Sequence, residues 1–165
     1  MKTLQILIST LLLIAINQKA SATCILGEKE DHLTIERVMR NFGRFTMPAD
    51  MITLRSLNPS EAISDDQLKT AVEKLGWAID CAQAVLDNPN EHVIPTEAKM
   101  KPGPEREEHI NDYLYFMTDF RDGLNEYRLM FKNLLELKSE ERDYKPVRKK
   151  CIELDKLIDH AHKKV

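Results

Sequence analysis

Apolar residues recur along this chain with the period of a helix, and no run alternates apolar and polar positions for long enough to form a strand. The first such stretch is His32–Thr46, where Ile35, Val38, Met39, Phe42 and Phe45 fall on one stripe at about 100° per residue. The segment "PADMITLRSLNPSEAIS" then reads as an irregular connection. The second helix has a clear start, because Ser64 and Gln67 have the spacing of a capping box. Its apolar face is Leu68, Ala71, Val72, Leu75, Ala78, Ile79, Ala82 and Leu86, with Trp77 and Cys81 off the centre. It stops at "DNPN", and the proline-rich "HVIPTEAKMKPGPE" is a loop.

A third, long helix is predicted over Glu105–Lys138 on the stripe Ile110, Tyr113, Met117, Phe120, Leu124, Tyr127, Phe131 and Leu135. The fourth begins near Pro146, which a first turn tolerates. It runs to the C-terminus through Val147, Cys151, Leu154 and Ile158. Four amphipathic helices with modest links predict an all-α fold, an antiparallel up-down-up-down four-helix bundle.

The N-terminus changes this picture. "MKTLQILISTLLLIAINQKASATC" opens on Lys2, continues through an apolar core and ends in the small residues Ala20, Ser21 and Ala22. This is the pattern of a secretory signal peptide spanning residues 1–22, too short for an ordinary transmembrane helix. Ser21 and Thr23 are poor residues before a lipid-modified cysteine, so cleavage after Ala22 is expected. Removing 22 of the 165 residues leaves 143 in a single domain, 23–165. Lys2 and Lys19 leave with the leader, so 22 basic residues face 27 acidic ones, a net charge of −5. A mildly acidic chain without a basic cluster argues against nucleic acid or a membrane anchor. A soluble, exported monomer is expected. Cys24, Cys81 and Cys151 are no disulfide framework. One bridge, Cys81 to Cys151, suits an oxidising compartment; buried free thiols are the other reading.

Candidate chemistry lies at the end of the fourth helix, in "CIELDKLIDHAHKKV". With Cys151 as origin, Leu154 falls at roughly 300°, Ile158 at roughly 340° and His162 at roughly 20°, whereas His160 lands at roughly 180°. His162 thus continues the core stripe and His160 faces water. An inward histidine there can be a polar residue favoured by the negative end of the helix. In an up-down-up-down bundle, however, Met39 lies near the same end, on its own apolar stripe. An imidazole and a thioether facing each other there are the ligand pair of a low-spin electron-transfer haem, although a helical methionine is usually packing. Other metal readings fail. No Glu-x-x-His or His-Glu-x-x-His occurs, and His32 and His92 belong at a helix start and in a loop. No nucleophile context supports an enzyme.

These residues bring in a resemblance. "DFRDGLNEYRLMFKNLLELKSEERDYKPVRKKCIELDKLIDHAHKK" resembles the third and fourth helices of the cytochrome b562 family, and "DQLKTAVEKLGWAIDCAQA" is similar to its second. The family's Phe-Arg-x-Gly element appears as Phe120–Gly123, its Leu and ligand His as Leu154 and His162, and its ligand Met as Met39. The resemblance covers about Leu33 to Lys164. It implies a periplasmic electron-transport protein binding one noncovalent haem b, its iron held by Met39 and His162. Phe120 and Leu124 would then touch the haem, within an apolar wall that also includes Phe42 and Met117. Partners would be redox proteins, engaged transiently. The chain departs from the family at Ile158, where many relatives carry an arginine near the haem edge, and in a longer first connection. The alternative reading is a haem-free exported bundle of the same fold that binds or senses through its surface.

Overall fold

The computed structural model describes residues 35–58, 60–87, 89 and 101–164, and for 35–41 and 162–164 the backbone alone. The predicted signal peptide, Cys24, His32, His92 and most of the proline-rich loop lie outside them. Among the described residues the chain forms four α-helices and no strand: α1 Ile35–Arg55, α2 Asp65–Asp87, α3 Pro104–Leu135 and α4 Lys145–Lys164, with a short 3-10 turn at Ser139–Glu141. None of these helices is long and apolar enough to cross a membrane.

The first helix is longer than its sequence suggests. The predicted break at Pro48 does not occur, and α1 continues one residue at a time to Arg55. Proline removes one hydrogen bond, the one to the carbonyl of Arg44, but its fixed φ is compatible with a helix. Arg44 is exposed, so water can take the freed carbonyl. Beyond the proline, Ala49 and Ile52 are buried, and burial of that apolar face outweighs one lost bond. Thr53 follows in the same stripe, and its hydroxyl donates to the carbonyl of Ala49 at 2.9 Å.

The other boundaries follow local chemistry. At the start of α2, the backbone N–H of Ser64 donates to Gln67 Oε1 at 2.9 Å and that of Gln67 to Ser64 Oγ at 3.3 Å. This is the reciprocal capping box the sequence predicts. Asp65 and Asp66 in the first turn complement the helix dipole. Pro104 opens α3 and Pro146 lies in the first turn of α4, positions that need no N–H donor. The predicted α3 stripe is buried from Tyr113 to Phe131, but at the C-terminal end Leu134 is buried and Leu135 only partly.

One continuous core runs through the four helices. α2 packs on α1 and α3, α4 packs on α3 and α1. The contacts also have direction. Arg55 near the end of α1 and Asp66 at the start of α2 line one groove. Gln83 late in α2 accepts from Arg121 Nη1 at 2.9 Å, whereas Val72, earlier in α2, accepts from Arg128 Nε further along α3 at 2.9 Å. A Cβ on Gly123 of α3 would come within 2.7 Å of Leu154 Cδ2 on α4. The glycine of the Phe-Arg-Asp-Gly element therefore admits Leu154, and that fit fixes how far α4 slides along α3.

Candidate functional site

The four expected wall residues come together. Phe42 on α1 and Met117, Phe120 and Leu124 on α3 are all buried in the shared core. The rings of Phe42 and Phe120 meet edge to face, with centroids 5.1 Å apart at 86°. Phe116 stacks on Phe120 at 5.6 Å, and Tyr113 lies 6.4 Å from Phe116. Edge-to-face and offset pairs suit the charge distribution of aromatic rings. Arg121, between Phe120 and Gly123, turns outward to Asp122 and to Gln83 on α2.

Met39 lies in the first turns of α1 and His162 in the last turn of α4; their side chains are outside the described set. The register between the two helices locates their backbones. Cys151 faces Asp50, its thiol donating to Asp50 Oδ1 at 3.6 Å. Further toward the other end, Arg148 Nη1 donates to the carbonyl and hydroxyl of Ser56, each at 3.1 Å. The helices therefore run in opposite directions. Met39 lies eleven residues before Asp50 and His162 eleven after Cys151, so one-for-one continuation brings the two positions level. His160 is exposed, as its helical phase requires, and Ile158 is half-buried against the core.

These residues suit a haem in kind. The wall is apolar and carries no charge, and a methionine and a histidine stand on two of the helices, α1 and α4, toward the same end. Among the described residues no group of three His, Cys, Asp or Glu side chains is placed to hold a metal ion.

Sequence reasoning missed a second constellation deeper in the bundle, on the stretch it assigned to a loop. Tyr127 on α3 is fully buried, and its hydroxyl lies 2.7 Å from that of Thr53. Thr53 has already given its one proton to Ala49, so Tyr127 donates to Thr53. Asp50 and Cys151 sit beside this pair. Burial pushes the Asp50 carboxyl up from its ordinary value, against the hydrogen bonds it accepts from Thr46 and Cys151. Burial, then the Asp50 charge, pushes the Cys151 thiol up to about 11. Burial also pushes the Tyr127 phenol up. A cysteine held as its thiol is a poor nucleophile, so this cluster reads as a polar brace between α1, α3 and α4. The signal for it was the i, i+3 pair Asp50 and Thr53, visible only once α1 is known to continue through Pro48.

The bridge between Cys81 and Cys151 is not formed. Cys81 is in a disulfide, but Cys151 is a free thiol. The reason is the arrangement of the helices: Cys151 is turned to Asp50 on α1, whereas Cys81 lies on α2, which borders α1 and α3. The remaining cysteine of the chain, Cys24, lies outside the described residues. No protein-family model matches the chain, and no curated protein or solved structure matches it either.

Proposed function

We propose that the chain is an exported electron-transfer protein of the cytochrome b562 kind, an antiparallel up-down-up-down bundle that binds one noncovalent haem b. The observation that carries this reading is the α1–α4 register, in which Met39 and His162 are each eleven residues from the facing pair Asp50 and Cys151. The run of directional contacts between neighbouring helices supports the up-down order. The disulfide at Cys81 supports an oxidising compartment such as the periplasm.

Bound haem supplies a one-electron ferric–ferrous couple. The Met39 thioether and the His162 imidazole would hold the iron, and thioether ligation would favour the reduced state. Phe42, Met117, Phe120 and Leu124 would exclude water and disfavour the additional charge of the oxidised state, raising the potential further. The role would be transfer of single electrons between redox proteins met transiently. Ile158 offers no charge to a propionate.

Addition of hemin to the purified chain, followed by reduction, is expected to give sharp low-spin visible bands. Met39→Ala and His162→Ala should each abolish them, and His160→Ala should leave them intact. Bands absent from the wild type, or unchanged in both ligand variants, would refute the reading. One observation favours the haem-free alternative: Phe42 and Phe120 already fill the core between α1 and α3 at their level by packing on each other. A wild type with a cooperative melt and no hemin spectrum would select that alternative.

A further inference from the structure

The outward face of α1 is unlike that of the other helices. Met47, Met51 and Leu54 follow one another at i, i+4 and i+7, opposite the buried stripe, and Leu57 continues them into the link. They are 58%, 45%, 61% and 65% exposed. Between Arg44 and Arg55 the only charged side chain is Asp50, which is turned inward to Cys151. Beside this strip runs a groove of about 340 Å³ between α1 and the start of α2, walled by Pro48 and Met51, floored by Ile52 and rimmed by Arg55 and Asp66. The four exposed side chains leave on the order of 400 Å² of apolar surface open, within the range of the largest apolar patch on a typical monomer, which is often functional. It is about half of what each partner gives to a standard interface.

We infer that a second copy of the chain covers this face, in a dimer whose two-fold axis runs parallel to the helices. Charge selects both the occupant and the geometry. α1 presents apolar side chains with an arginine at each end; the outward stripe of α2 presents Asp66, Thr70, Glu73 and Trp77, all exposed. With the axis along the helices, α1 of one copy lies over α2 of the other at the levels the two helices share within one chain. Arg55 then meets the partner's Asp66, Met51 meets the partner's Thr70, and Arg44 reaches the partner's Glu73. The alternative two-fold, with α1 crossing α1, sets Arg44 against Arg55 and is repulsive. The present partners of these charges are loose and exposed: Arg55 lies 3.7 Å from Glu61, and Asp66 lies 3.3 Å from Lys69. Such pairs contribute little and exchange readily. This inference does not depend on haem.

Sedimentation equilibrium of the purified chain tests it. A reversible dimer is expected, with Met51→Lys shifting it to monomer while helical circular dichroism is retained. Arg55→Asp should weaken association about tenfold, and adding Asp66→Arg should restore it. A wild type that stays monomeric up to about 0.5 mM, a dissociation constant too weak for a specific dimer, would overturn the inference. So would a dimer indifferent to Met51→Lys, or a charge swap that does not restore association.

Discussion

Where α1 gives way to α2 and α3 gives way to α4, side chains donate to main-chain carbonyls across helix boundaries. Arg142 Nε reaches the carbonyls of Leu134 and Leu137 at 2.8 and 3.2 Å, while its Nη2 holds Asp65 at 2.6 Å. Arg148 ties the end of α1 to the start of α4. At the opposite end Arg121 joins α3 to Gln83 on α2 and Cys81 is in a disulfide, but α1 meets α3 there through the rings of Phe42 and Phe120, with Phe116 and Met117 beside them. Charged donors to fixed acceptors are directional, so the first end sets the register of the helices. Apolar contact is non-directional, so the α1–α3 aromatic contact at the second end can repack more readily than the charged contacts at the first.

The sharpest way to break this comparison is Phe120→Ala. Its ring is 1% exposed and touches both Phe42 and Phe116, so the haem-free chain should lose about 3–5 kcal/mol of unfolding free energy in urea melts. If the apolar end is the ligand end, hemin should recover part of that loss. A cost under about 1 kcal/mol would mean that the aromatic cluster is not what holds this end.

Next in size is Arg142→Met, which tests the stitched end. The side chain is 3% exposed, and methionine fills much of its volume while leaving the α3 carbonyls and Asp65 without their donor. Loss of charge-assisted bonds predicts about 2–3 kcal/mol. If hemin binds at the other end, it should not recover this loss. Equal recovery by hemin in both variants would show that the two ends are not independent.

Much of this contrast was legible in the sequence wherever the cause is local. The Ser64–Gln67 box, Pro146 in a first turn, the α3 stripe from Tyr113 to Phe131 and the outward phase of His160 all depend on residues within a turn or two. The continuation of α1 past Pro48 does not, because it depends on Ala49 and Ile52 finding a core supplied by other helices. The state of the cysteines is also tertiary: which pair can meet is decided by which helices are neighbours. The brace of Asp50, Thr53, Tyr127 and Cys151 was missed for both reasons at once. The burial of Phe42, Met117, Phe120 and Leu124 could be read from their apolar stripes. Met39 and His162 remain positions on two helices, and the spectrum decides their role.

The smallest expected effect sharpens the comparison from within, through pH. The brace holds protons that the unfolded chain would release sooner. Cys151 is pushed up to about 11 and Tyr127 is also raised, both chiefly by burial. Lys150 is raised as well: burial alone would lower it, but its ion pair with Glu126 outweighs that cost. A group with a raised folded-state pKa contributes stability that is fully present below its unfolded value and is lost as pH climbs through the folded value. All three act in the same direction, so stability should fall from about pH 9 upward, toward the folded value of the thiol. Because Cys151 is only partly buried, its share by pH 10.5 is on the order of 1 kcal/mol rather than the full shift. Urea melts at pH 8.5 and 10.5 should show the fall in the wild type and a shallower one in Cys151→Ala. Phe120→Ala should keep most of the wild-type slope, since it removes neither Cys151, Tyr127 nor Lys150. A wild type equally stable at both pH values would remove the brace as a proton-holding element and leave hydrogen bonding alone to account for the stitched half of the bundle.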